Sequence, residues 1–274
     1  AVDMTKEEIR AIEEAYAKTE TPVVSNNSAH RWTEDVPMVV PEINPEHYGL
    51  IEYQKKRLGT KRGFIAVKPN CSIQSYTPAI FALKEFEPTL VVATTYQAIS
   101  GAGKTFKDWP EMEGNVIPYI AGEEEKSEQE PLRLMGKLVD GKIEKAALPV
   151  ITTQCLRVPV LNGHTAAVFV NFKNKPTKEQ IIDRWRNFKG LPQELKLPSA
   201  PEHFIQYLEE DNRPQVRLDV DYENGFGVSF GRLREDSVFD WKFVGLSHNT
   251  IRGAAGGAVL SAELLVAQKY ITAK

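Results

Sequence analysis

Helix-start signals and β-branched runs alternate along this chain from one end to the other, and that alternation constrains the fold more than any other feature. Thr5 and Glu8 form a T-x-x-E capping box ahead of apolar Ile9, Ile12 and Tyr16, which predicts a helix over 5–18. Short apolar runs follow at 22–25, 38–40 and 63–67, the last ended by Pro69. Ile73, Tyr76, Ile80, Leu83 and Phe86 have helical spacing, so 71–86 reads as a helix kinked or delayed by Pro78. Thr89 to Tyr96 reads as a strand, as do 149–160 and 164–172, a pair that would make a hairpin around Leu161-Asn162-Gly163. A second capping box, Thr177 with Gln180, opens a helix that Gly190 is expected to end. A further helix is expected over 199–210, strands over 225–233 and 237–246, and a closing helix from Ala254 to about Tyr270. Such mixing predicts an α/β or α+β protein.

Length and charge narrow the function. At 274 residues the chain is long enough for about two domains and a core that needs no staple. Its 34 basic and 37 acidic residues leave a net charge of −3, which argues against a large nucleic-acid surface. No apolar run approaches the roughly 18 residues that span a bilayer, so no membrane partner is expected. Cys71 and Cys155 are the only cysteines. They make no disulfide framework and too small a donor set for a structural zinc site, and they point to a reducing compartment such as the cytoplasm. The first residues are not a secretory signal, and without an initiator Met a processed or truncated start is expected.

Four segments could carry chemistry. Ala98 to Thr105, AISGAGKT, fits a relaxed phosphate-loop pattern after a strand, but Phe106-Lys107-Asp108-Trp109-Pro110 is a poor helix opening. A glycine-rich turn that lets backbone approach a flat ligand is the better reading. Pro69-Asn70-Cys71-Ser72 places Asn70 as a cap and Cys71 in a first helical turn, where the dipole would favour a thiolate. The competing reading is a buried, inert cysteine. Arg157 ends one predicted strand and His164 opens the next. Arginine suits a carboxylate and histidine suits proton transfer, although spacing alone favours a surface arginine and a loop histidine. Cys155, mid-strand, reads as packing. Glu123 and Lys126 lie one helical turn apart, a spacing that usually marks a solvated face.

Taken together, VVSNNSAHRW, VPMVVPEINPEH, VKPNCSIQSY, TTYQAISGAGKTF, VIPYIAGEEEKSEQE, CLRVPVLNGHTAAV and LSHNTIRGAAGGAVLSAELL resemble the aspartate-β-semialdehyde dehydrogenase family, in its archaeal and fungal-type branch. They occur in family order over nearly the whole chain, and their joint occurrence is far more specific than any one. The resemblance implies NADP-dependent reductive dephosphorylation of L-aspartyl-4-phosphate through a cysteine thioester. It implies Cys71 as nucleophile, His164 as acid/base and Gln97 as the group orienting the intermediate. It further implies Arg157 for the substrate α-carboxylate, Glu123 for its amino group, and Arg31, Lys126 and Asn70 for phosphate. Ser100, Gly101, Ala102, Gly103 and Asn249 would flank the nicotinamide. No metal is implied, and association as a homodimer or homotetramer is.

The family's glycine-rich G-x-x-G-x-x-G loop does not precede residue 30, so the chain is expected to lack most of the cofactor half. On that reading, 1–69 is the end of a nucleotide-binding domain and 70–248 a catalytic and dimerisation domain. Residues 249–274 would be a helix packing back on the first. Rival readings are a malonyl-CoA or N-acetyl-γ-glutamyl-phosphate reductase, which share a Cys/His core, and an inactive dimerisation fragment. Arg157, Glu123 and Lys126 favour a small amino-acid acyl phosphate.

Overall fold

The structure is a computed structural model that describes residues 4–273. Both capping boxes are formed, with Thr5 and Glu8 opening helix α1 (Lys6–Lys18) and Thr177 and Gln180 opening α5 (Lys178–Arg186). Strands β1 (Val23–Ser25) and β2 (Ile65–Val67) pair in parallel, and Met38 adds a single bridge to Val67. Between them runs α2 (Leu50–Leu58), which buries Leu50 and Ile51 and ends on left-handed Gly59.

The centre of the molecule is a mixed six-stranded sheet in the order β6-β3-β7-β10-β9-β8. Its strands are β3 (Pro88–Gln97), β6 (Val150–Arg157), β7 (His164–Phe172), β8 (Ile205–Leu208), β9 (Val228–Glu235) and β10 (Trp241–Ser247). Pairing is parallel for β3 with β6 and β8 with β9, and antiparallel elsewhere. One face buries Val91, Ala93, Ala166, Val168, Val170, Phe230 and Phe243 with Ile80 of α3 (Thr77–Ala82) and Trp185 of α5. The alternate residues Val92, Thr94, Ala167, Phe169 and Val244 lie on the other face and stay partly exposed, as a period of two requires. A small second core joins Leu260, Leu264 and Leu265 of α8 (Ala255–Ala267) to Val39, Tyr48, Phe64 and Ala66. Helix α4 (Glu123–Leu134) and the hairpin β4 (Lys137–Val139) with β5 (Lys142–Glu144) precede β6, and the short α7 (Val216–Asp219) lies between β8 and β9. No helix among the described residues is long and apolar enough to cross a membrane.

Four expectations are corrected. The segment 199–210 forms no helix, because Ile205 and Tyr207 turn inward and pair with Val228 and Phe230 as strand β8. That tertiary pairing overrides the local proline start signal. β6 and β7 are not a hairpin, since β3 lies between them. The helix expected over 71–86 breaks into a 3₁₀ turn at Ser72–Ser75, the short α3, and a second 3₁₀ turn at Lys84–Phe86. Gly190 does not end α5, whose cap is Asn187, but opens α6 (Leu191–Glu194).

Candidate active site

Four strand ends converge. In the parallel register Gln97 of β3 stands opposite Arg157 of β6, while on the other side Tyr96 stands opposite Thr165, next to His164. Ser247 at the end of β10 faces His164, so the chain leaving β10 through His248 and Asn249 reaches the same edge. Cys71 arrives from outside the sheet, on the connection after β2, and its Sγ lies 3.4 Å from His164 Nε2. Local spacing alone leaves the cysteine, arginine and histidine as separate features, which only the resemblance joins. The topology places them at one sheet edge.

The histidine is fully buried. Its Nδ1 accepts the backbone N–H of Ala98 at 3.0 Å, so the neutral ring carries its proton on Nε2, facing the sulfur. Burial, then the neighbouring Arg157 charge, pushes the imidazole down to about 3. It is therefore a neutral donor near pH 7. The thiol departs from expectation. Cys71 caps only a four-residue 3₁₀ turn, and burial, with the Glu123 carboxylate adding to it, pushes the thiol up rather than down. Lys68 and Arg31 oppose that rise. Asn70 precedes the cap, yet its Oδ1 still accepts from Ser72 N at 2.7 Å and so rigidifies the turn.

Arg157 is buried and donates from Nη1 to Ala98 O at 2.7 Å, with no carboxylate pairing it among the described residues. Glu123 and Lys126 are not a solvated pair. Glu123 is 8% exposed and accepts from Lys126 Nζ at 2.8 Å, from Asn70 Nδ2 at 2.9 and 3.0 Å, and from Gln97 Nε2 at 3.3 Å. These bonds hold its carboxyl below the ordinary range despite burial. Arg31 gives Nη1 to Glu130 at 2.9 Å, Nε to Lys68 O at 2.9 Å and Nη2 to Asn26 O at 3.3 Å. Three of its five donors are thus occupied by protein.

Ser100, Gly101 and Ala102 belong to a 3₁₀ turn, Ile99–Ala102, that lies over this edge and is capped by left-handed Gly103. A Cβ at Gly101 would stand 3.0 Å from both Arg157 Nη1 and His164 Cε1, so only glycine lets the turn lie this close. A Cβ at Gly103 would meet nothing, which leaves an exposed ledge of backbone. Asn249 fixes it, accepting from Gly163 N at 2.7 Å and donating to Ser100 Oγ at 2.8 Å. Lys104 of the relaxed phosphate-loop pattern is not followed by a helix, as that motif would need. Cys155 is buried in β6, 3.7 Å from Ser127 Oγ. A cavity of about 480 Å³ between Ile43, Phe81, Leu134 and Pro149 contains neither cysteine nor histidine.

Sequence reasoning missed Glu130, Lys68 and the Glu42–Arg252 pair. Glu130 is fully buried and holds both Arg31 and, at 2.5 Å, the backbone N of Asn70. The signal was present, because Glu123, Ser127 and Glu130 recur at helical spacing on the buried face of α4.

A mixed sheet carrying a cysteine–histidine pair under a glycine-rich ledge, with a buried arginine beside it, defines a thiol-dependent oxidoreductase of the semialdehyde dehydrogenase class. Comparisons with known proteins agree. The semialdehyde dehydrogenase dimerisation domain matches residues 80–252, and the NAD-binding domain of the same name matches residues 3–51. The aspartate-semialdehyde dehydrogenase of Archaeoglobus fulgidus is 44% identical over 96% of this chain and 75% of its own length. That of Aspergillus fumigatus is 42% identical over 95% and 74%. The crystal structure of the Candida albicans enzyme with NADP superposes with a TM-score of 0.85 at 36% identity, over 98% of this chain and 77% of that one. The chain belongs to the aspartate-semialdehyde dehydrogenase family.

Proposed function

We propose that this chain reduces L-aspartyl-4-phosphate to L-aspartate 4-semialdehyde, releasing phosphate, with NADP as cofactor. The observation that carries the reading is the 3.4 Å Cys71–His164 contact beside an arginine that no carboxylate pairs among the described residues. Arg157 receives the substrate α-carboxylate in its fork, and Glu123 the ammonium group. Gln97, tied to Glu123, holds the acyl group against the sulfur. The Cys71 thiolate attacks the acyl carbon, a C–S bond forms, and the C–O bond to phosphate breaks. The remaining donors of Arg31, with Lys126 and Asn70, receive the departing phosphate. His164 Nε2–H donates to the thiolate before attack and to the oxyanion on the acyl carbon afterwards. Bound NADPH supplies the hydride that takes the thioester to the aldehyde level. Collapse then expels the Cys71 thiolate, again towards the His164 donor.

The exposed ledge at 100–103, held by Asn249, fits a flat ring, and these residues would hold the nicotinamide end of the cofactor. For organisation, we assign 1–69 to the nucleotide-binding part, 70–248 to the catalytic and dimerisation part, and 249–274 to a helix returning to the first. Two copies associate through the partly exposed sheet face carrying Val92, Ala167, Phe169 and Val244, as a homodimer or, by further pairing, a homotetramer. The reaction is placed in the cytoplasm, with no nucleic acid or membrane partner. The test is NADP reduction with aspartate semialdehyde, run with phosphate and, in parallel, with CoA. Phosphate-dependent turnover is expected, and activity only with CoA overturns the substrate assignment.

A further inference from the structure

Helix α4 buries Glu123, Ser127 and Glu130 on one face, and all three reach the turn that carries Cys71. Glu123 accepts from Asn70 Nδ2 at 2.9 Å, Ser127 Oγ lies 3.2 Å from Ser72 Oγ, and Glu130 Oε2 accepts from Asn70 N at 2.5 Å. Glu123 has a place in the proposed chemistry, at the substrate ammonium group. Ser127 ends in the interior, 3.7 Å from Cys155. Glu130 differs from both, because its second oxygen leaves the turn: Oε1 accepts from Arg31 Nη1 at 2.9 Å. One fully buried carboxylate thus joins the residue before the cysteine to the arginine assigned to phosphate.

Arg31 has two further acceptors, Lys68 O at 2.9 Å from Nε and Asn26 O at 3.3 Å from Nη2. Both are neutral carbonyls, so the carboxylate makes the strongest of the three bonds. Nη1 and Nη2 each keep one N–H for a ligand, and where those two donors point depends on the guanidinium being held. The Asn70 N–H in turn has Glu130 as its acceptor among the described residues.

We propose that Glu130 is a positioning residue for phosphate: with one oxygen on Arg31 Nη1 and the other on Asn70 N, it fixes the phosphate-binding guanidinium relative to the turn that bears the nucleophile. The inference rests on the proposed reading of Cys71 as nucleophile and Arg31 as phosphate binder. An amide at this position cannot do both tasks, because it brings one acceptor oxygen to two donors. The buried Asn70 N–H takes that oxygen, since a backbone donor left unpaired there is costly. The amide nitrogen then meets Arg31 Nη1, donor against donor, and turns the guanidinium away from the turn. Aspartate keeps the charge but is one methylene too short to span both partners.

The test is protection of Cys71 by inorganic phosphate against iodoacetamide, followed by peptide mass mapping at about pH 8, in the wild type, Glu130→Gln and Glu130→Asp. Phosphate should slow wild-type alkylation in a saturable way. In Glu130→Gln the half-protecting phosphate concentration should rise about tenfold or more, the loss expected when a charged donor is displaced. The rate without phosphate should move less than about threefold. A merely structural role would loosen the cysteine turn and move both, so equal shifts in the two overturn the proposal. If Glu130→Gln fails to fold, as judged by its melting curve, Glu130→Asp is read in its place, with a rise in the same direction. A folded variant with the wild-type half-protecting concentration, or a lower one as loss of a negative charge alone would give, also overturns the role of Glu130. Those results leave the reading of Cys71 and Arg31 intact. That reading fails separately, and the inference with it, if phosphate gives the wild-type cysteine no protection.

Discussion

Glu42→Gln should be among the most damaging substitutions outside the reacting groups. Glu42 and Arg252 are 3% and 1% exposed, and the carboxylate takes both guanidinium forks, at 2.8 and 2.6 Å. An amide can accept one of those bonds but turns its own N–H groups on the other donor, and it carries no charge. Breaking one partner of a buried pair strands the other, at a cost of about 3–5 kcal/mol. Arg252 keeps Gln74 Oε1 at 3.2 Å and the Phe204 ring at 4.4 Å, which places the expected loss toward the lower end. For a chain of this size that is a fall of roughly 6–15 °C in melting temperature. Urea denaturation measures it, read together with the double variant Glu42→Gln/Arg252→Met, which removes the stranded charge and should recover most of the loss. Turnover should fall as well, because Arg252 precedes Gly253, the residue seated on Cys71. A loss under about 1 kcal/mol for the single variant, or no recovery in the double, refutes the argument from charge stranding.

Other substitutions test the site. Arg157→Lys exchanges a planar fork for a point charge, so KM for aspartate semialdehyde should rise about tenfold or more, while the melting temperature holds. A fall in kcat alone would contradict the role given to it. His164 in the fold lies below its unfolded value of 6.5, so the unfolded chain binds more protons between that pH and about 3, and stability falls as pH drops through that window. His164→Gln should therefore be less acid-sensitive than the wild type by about 2 kcal/mol between pH 6.5 and 5, measured by denaturation at each pH. Val244→Asp places a charge on the open sheet face beside Ala167 and should shift light scattering from dimer to monomer. An unchanged mass would move the interface elsewhere.

Some of this was legible along the chain and some was not, for reasons that differ from residue to residue. The capping boxes at Thr5 and Thr177 are local, and the helices begin where they say. β3 and β7 are long and β-branched, so their existence was readable, but a sequence does not reveal that β3 inserts between β6 and β7. β8 was misread because it is four residues long and owes its state to its pairing with β9. Cys71, Arg157 and His164 were visible as residue types. Their convergence depends on contacts across 93 positions for Cys71 and His164 and on strand order, which local spacing cannot carry. The Glu42–Arg252 pair spans 210 positions and left no local trace. Lys68 gave none either, since a lone lysine before a proline reads as surface until its burial is seen.

The central claim is that the acyl group passes through a bond to Cys71, and mass spectrometry of the protein quenched with aspartyl phosphate in the absence of reduced cofactor tests it directly. The account predicts an aspartyl thioester on the peptide bearing Cys71, discharged by hydroxylamine and missing from Cys71→Ser. An unmodified Cys71 beside an acyl group carried on another residue would contradict it.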